Sequence, residues 1–239
     1  MQLDEQQIKT VLQRISNILL INGGFLNNLG LFTGEMGLVL FFFRYARFNQ
    51  NSLYADYSYD LIEKIQSRIH QETPINYEEG LTGIGSAFEY LVQNGFVEAD
   101  TDDILEVFDK RIFALNNLPF LPVEDIKGIG YYALWRMSGK SSSTKLATKK
   151  DRSLKSSLKK IETFLNKKGE NPNDIPTVRN NLQLLDEKNY SRLLDQLSKK
   201  DGVKKSLVRL GIQNGFAGLG LALLSRLDGD NSWTSLFPA

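Results

Sequence analysis

A short glycine phrase recurs along this chain and limits its fold more than any other feature. It reads GLFTGEMG at Gly30–Gly37, GLTGIG at Gly80–Gly85, KGIG at Lys127–Gly130 and NGFAGLG at Asn214–Gly220. Each copy opens a segment rich in apolar and aromatic residues. Gly34 to Gly83 spans 49 positions, Gly83 to Gly128 spans 45, and Gly128 to Gly218 spans 90, twice the previous step. A period in this range marks a repeat built from one supersecondary unit.

The segments between the phrases show what the unit is. Ile8, Val11, Leu12, Ile15, Ile18 and Leu19 fall on one helical stripe that Asn22-Gly23-Gly24 ends. Leu61, Ile62, Ile65 and Ile69 form a second stripe, stopped before Pro74. Asp100-Thr101-Asp102-Asp103 has the composition of an N-terminal cap for Ile104, Leu105, Phe108, Ile112 and Leu115. The runs after the phrases, LVLFFFRYARF and SAFEYLVQNGF, are apolar on nearly all sides and predict helices buried all round. Each unit is therefore an amphipathic outer helix, a loop, a glycine phrase and an apolar inner helix. Inner helices are predicted to start near Gly34, Gly83, Gly128 and Gly218, where the missing Cβ lets neighbours approach. No strand-like alternation occurs. The fold class is all-α: an α/α repeat of helical hairpins in a toroid, an incomplete toroid or a horseshoe. Residues 1–239 are expected to form one domain of about five hairpins.

The 90-residue step predicts one more unit near residue 173. There the chain reads ENPNDIPTVRNNLQLL, without glycines, which predicts a degenerate copy with Asn173-Asp174 as its cap. Before it lies a basic segment whose Leu154, Leu158, Ile161 and Leu165 still mark a helical stripe. Lys140 to Lys168 holds ten Lys/Arg and two acidic residues, a local charge of +8 in a chain of net charge +1. A solvated outer face, or a surface for an acidic partner, follows from such a run. Nucleic-acid binding is the least favoured reading, because a single aromatic, Phe164, falls among the lysines.

The phrase-opened inner helices resemble the lanthionine synthetase C-like family. GLFTGEMGLVLFFFRYARF (30–48) and NYEEGLTGIGSAFEYLVQNGFVEADTDDIL (76–105) carry the likeness, with NGFAGLGLALLSRL (214–227) as a weaker third stretch. The resemblance implies an α/α toroid, of seven hairpins in the family, and a part in peptide modification. The family's cyclising members hold a catalytic zinc with two cysteines and a histidine. This chain has no cysteine and one histidine, His70, in the outer-helix run QSRIHQE. Catalytic zinc takes three protein ligands and an open position. No metal and no cofactor is therefore expected, and His70 is assigned to the surface at a helix end.

Carboxylates lie close to the phrases: Glu35, Glu78, Glu79, Glu124 and Asp125. So do Phe32, Tyr77, Tyr131, Tyr132 and Phe216. If the inner helices start on one side, these groups share a mouth with helix N-termini, whose free N–H groups attract anions. The acids serve either as caps or as ligands, and the aromatics either as core or as stacking platforms. The favoured function is a non-catalytic scaffold whose partner is a peptide or protein, bound by Glu35, Tyr77, Glu79 and Tyr131. The alternative is a metal-independent glycoside hydrolase with Glu79 and Asp125 as its two carboxylates. No run reaches the ~18 apolar residues of a membrane span, the N-terminus does not read as a secretory signal, and the expected location is the cytoplasm.

Overall fold

A computed structural model describes residues 3–139, 144–171, 187–198 and 209–237. These residues are helical, with no strand among them. Ten α-helices are described: α1 (Glu5–Gly23), α2 (Glu35–Asn49), α3 (Ser52–Arg68), α4 (Leu81–Gln93), α5 (Thr101–Ile104), α6 (Glu106–Ile112), α7 (Val123–Ser138), α8 (Thr144–Lys167), α9 (Glu187–Ser198) and α10 (Phe216–Asp228). None is long and apolar enough to cross a membrane. The degenerate unit predicted near residue 173 lies outside the described residues, as do the side chains that open the basic segment.

The chain divides into two compact units, Met1–Gln71 with Asn180–Ser235, and Glu72–Arg179 with Leu236–Ala239. In the first, α2 packs against α3 and α10, and α1 against α10 and α9. In the second, α4 packs against α7, and α7 against α8.

Outer and inner helices differ as their sequences dictate. On α1, Ile8, Leu12, Ile15 and Leu19 are buried, and an Asp4/Gln7 capping box starts the helix. On α3, Leu61, Ile62 and Ile65 are buried and Asn51 caps. On α8 the buried stripe contains Leu154, Leu158, Ile161 and Leu165. By contrast, every residue of α2 from Glu35 to Ala46 is buried, and every residue of α4 from Leu81 to Leu91.

Three inner helices begin in one way. The N-cap is Gly34, Gly80 or Gly215, extended and without a side-chain cap. Glu35 N–H donates to the Asn28 carbonyl, Leu81 N–H to Pro74 and Phe216 N–H to Arg209, each at 2.9 Å. The next amides, of Met36, Thr82 and Ala217, donate to Leu29, Ile75 and Leu210 at 3.2, 3.3 and 3.0 Å. Each loop thus folds back to satisfy amides that a helix start leaves unpaired. The glycine is needed for space rather than for its φ. A Cβ would lie 2.4 Å from Gly30 N at Gly34, 2.3 Å from the Pro74 carbonyl at Gly80 and 2.3 Å from the Gly211 carbonyl at Gly215. Further along, a Cβ at Gly85 would strike the Tyr132 ring of α7 at 2.4 Å, and one at Gly220 the Phe41 ring of α2 at 2.3 Å. Helices approach closely at these two glycines.

Two expectations need correction. No helix starts at Gly128: α7 begins five residues earlier, at Val123 behind Pro122, so KGIG lies inside it. Proline pre-sets the backbone, Glu124 and Asp125 occupy the first turn, and no returning loop is required. The stripe after Asp100 is also not one helix. It breaks at Leu105 (φ −98°, ψ 7°) into α5 and α6, and Asp100 caps the first by accepting from Asp102 N–H.

Gly80→Ala is expected to destabilise the protein by about 1–3 kcal/mol, the range for overpacking, because backbone rather than a flexible side chain meets the new methyl. Gly24, with nothing within 4 Å of its would-be Cβ and φ −63°, serves as the control. Gly24→Ala should leave the urea midpoint unchanged or slightly raised.

Candidate functional site

The helix starts are closed to ligands in their first two amides. Anion capture by free N–H groups, expected at a mouth of helix N-termini, is therefore not available at α2, α4 and α10 through those amides, which are bonded to loop carbonyls.

The carboxylates and aromatics beside the phrases divide between the two units. Glu35 belongs to the first unit and is fully buried. It does not cap α2. Its Oε1 accepts from Lys64 Nζ at 2.8 Å and Arg68 Nη1 at 2.7 Å, both reaching across from α3. Arg68 also donates to the Asn27 carbonyl, tying the loop before α2 to the same cluster. Oε2 is equally buried and has no hydrogen-bond partner among the described residues.

Tyr77, Glu79, Asp125 and Tyr131 belong to the second unit. Tyr77 and Tyr131 do come together, 54 positions apart in sequence. Their rings meet edge-on at 5.2 Å, and the Tyr77 hydroxyl donates to the Leu236 carbonyl at 2.9 Å. Both are buried, and burial pushes the Tyr131 hydroxyl up to about 12 and that of Tyr77 well above its usual value. Glu78, Glu79 and Glu124 are exposed. Asp125 is half-buried, and its carboxyl is raised, by burial first and by the Glu124 charge second. His70 is exposed just beyond α3, at a helix end as expected. Phe216 and Tyr132 are core.

A buried ion-pair centre lies outside the expected residues. Arg136, on α7, is buried and holds three carboxylates. Nη1 donates to Glu89 Oε1 of α4 at 2.5 Å, Nη2 to Asp109 Oδ2 at 2.7 Å and to Asp102 Oδ1 at 3.1 Å. Nε donates to both oxygens of Asp109 at 3.1 Å, and the Tyr132 hydroxyl donates to Asp109 at 2.7 Å. Burial opposes the guanidinium charge. The hydrogen bonds and charges of Asp109 and Glu89 outweigh it, so the pKa lies above the usual value. The break at Leu105 lets both short helices contribute, Asp102 from α5 and Asp109 from α6.

The first unit holds a smaller counterpart. Arg44 of α2 is buried, with Nη2 2.9 Å from Asp228 and 3.4 Å from Asp230. Burial raises the Asp230 carboxyl, but hydrogen bonds from Ser232 and the Arg44 and Arg47 charges leave it below its usual value. A sequence signal for these centres existed. Arg44, Glu89 and Arg136 are isolated charges inside apolar runs, where a charge is buried and needs a partner.

Two cavities of the second unit mix polar and apolar lining. One, of about 690 Å³, is lined by Glu89, Gln93, Glu98, Asp100, Thr101 and Ser138 among others. The other, of about 530 Å³, lies along α8 beside Leu118 and Pro119. Neither is lined by Glu79 or Asp125. Among the described residues, no group of three or more His, Cys, Asp or Glu is placed to hold a metal ion. No family model, curated protein or solved structure matches the chain.

Arg136→Met should cost about 3–5 kcal/mol, because it leaves Glu89 buried without its counter-charge. Arg136→Met with Glu89→Leu should recover part of that loss in urea unfolding. Asp125 makes a pH-dependent prediction. A carboxyl whose folded pKa is raised contributes stability below its unfolded pKa and loses it as pH rises through the folded one. Asp125→Asn should therefore be more stable than the parent at neutral pH, with the gap closing as the pH falls through the carboxylate range.

Proposed function

We propose that this chain is a non-catalytic binding scaffold, similar in plan to the α/α toroids of the lanthionine synthetase C-like family, that holds a peptide or partner protein in a cytoplasmic peptide-modifying system. The observation that carries this reading is the recurrence of one closed, glycine-dependent helix start at α2, α4 and α10. The residue type that the resemblance rests on is spent on architecture at these starts. The acids nearest the buried helices are likewise spent on ion pairs, Glu35 with Lys64 and Arg68, and Glu89 with Arg136. A shared plan does not carry a shared activity with it, and the missing cysteines and the exposed His70 argue for binding rather than zinc chemistry.

Within this proposal Glu79 is a contact residue, exposed at the loop before α4. Tyr77 and Tyr131, buried and packed edge-on, stiffen the same unit. Glu35 acts indirectly, by holding α2 to α3. The raised carboxyl of Asp125 favours a second reading, in which it donates a proton to a glycosidic oxygen opposite Glu79.

Peptide-array binding with the full chain, and glycoside turnover with the same preparation, separate the two readings. The scaffold reading expects peptide capture that Glu79→Ala weakens severalfold, with no turnover. Glycoside turnover that disappears in both Glu79→Ala and Asp125→Asn would replace the scaffold with the hydrolase.

A further inference from the structure

We infer that the groove along α8 is a docking site for an acidic peptide segment that carries an apolar anchor. This rests on the binding-scaffold reading and names the chemistry of its partner. The groove, about 530 Å³, runs between α8 and the 3₁₀ turn at Leu115–Phe120. Its apolar surface comes from Leu118, Pro119 and Phe164, and its polar rim from Lys159, Lys160, Lys167, Ser156 and Thr163. Among the described residues, no acidic side chain lines it.

Helical spacing builds this arrangement. Lys159 and Lys160 lie three and four positions after Ser156, Thr163 lies four and three after them, and Lys167 four further on, so they share a face. Leu154, Leu158, Ile161 and Leu165 face the core instead. Along α8 there are eight Lys/Arg and two acidic residues, Asp151 and Glu162. The helix therefore keeps a net positive charge. Lys168 Nζ lies 5.6 Å from the centre of the Phe164 ring, within cation–π range, and brings a further positive charge to the groove's end. Phe120, at the end of the 3₁₀ turn, is 85% exposed.

Charge complementarity selects the occupant. The rim repels cations and draws carboxylates from a distance of about a Debye length, ~8–10 Å. The apolar floor adds what a bare lysine patch lacks, a place where a leucine or phenylalanine gains by leaving water. An acidic segment with one such residue satisfies both. A nucleic acid would meet the lysines, but among the described residues Phe164 is the one ring that lines the groove, and an uncharged apolar peptide would forgo the rim.

The experiment uses the full chain and three fluorescent probes: an Asp/Glu-rich dodecapeptide with one central leucine, the same peptide with serine for leucine, and a single-stranded oligonucleotide of equal charge. Anisotropy is read at low and at physiological salt. The leucine peptide should bind most tightly, severalfold more tightly than the serine peptide, and should weaken as salt rises. Lys159→Glu/Lys160→Glu should weaken it at least tenfold. Both side chains are exposed, and an unchanged circular-dichroism spectrum and melting temperature would show that the variant is folded. Lys159→Gln/Lys160→Gln should fall between the two.

Equal binding by the parent and the charge-reversed variant, no binding of the leucine peptide, or tighter binding of the oligonucleotide would each overturn the inference. Glu79→Ala distinguishes this from failure of the scaffold reading. If array peptides bind the parent and are lost with Glu79→Ala while the acidic peptide does not bind or ignores the lysine variants, the scaffold stands and the groove falls. If the acidic peptide is lost only with the lysine variants, the groove stands and the role of Glu79 falls.

Discussion

A helix that starts inside a protein leaves amides with nothing to bond, and each is costly to bury unpaired. This chain meets that constraint with its own backbone. Residues 28–29, 74–75 and 209–210 return their carbonyls to the first two amides of α2, α4 and α10. The return brings backbone within about 2.3–2.4 Å of where the N-cap Cβ would be, which only glycine tolerates. The apolar character of these helices follows from the same arrangement. A helix whose first amides are satisfied internally can be buried from its first turn, as α2 and α4 are.

Burying helices on all sides leaves few places for charge. Arg136 in the second unit and Arg44 in the first occupy such places, each with carboxylates from neighbouring elements. Buried ion pairs add little stability over well-packed apolar groups, yet removing one partner is costly. Their effect here is to fix partners: Arg136 couples α7 to α4, α5 and α6, and Glu35 couples α2 to α3. The fully buried carboxylates, Glu35 and Glu89, are therefore held in place by their ion pairs.

Much of the helical pattern was legible in the sequence. Stripes such as Ile8–Leu12–Ile15–Leu19 show a period of 3.6, and unbroken apolar runs such as LVLFFF show burial. The glycine phrases marked three of the four inner helix starts. The fourth misled because KGIG shares its letters with the others but not what precedes it. Pro122 starts α7 five residues earlier, and Gly128 serves packing against Tyr77 instead, whose Cβ lies 3.0 Å from a Cβ built on Gly128. The candidate site was less legible. Glu35 and Glu79 look alike beside their phrases, but Lys64 and Arg68, more than 25 positions away, decide that Glu35 is buried and paired. Sequence proximity to a motif reports the element a residue belongs to, not which way its neighbours approach. The α8 face was legible as charge, while its apolar floor depends on Leu118 and Pro119 from another element.

The scaffold account depends on the glycine phrases being closed structural joints rather than open ligand sites. Amide hydrogen exchange read by NMR tests this directly at Glu35, Met36, Leu81, Thr82, Phe216 and Ala217. In an ordinary helix the first-turn amides exchange quickly because they have no acceptor. Here the account predicts protection at all six comparable to mid-helix amides of α2 and α4. Fast exchange at these positions in the folded protein, with the helix interiors still protected, would contradict it.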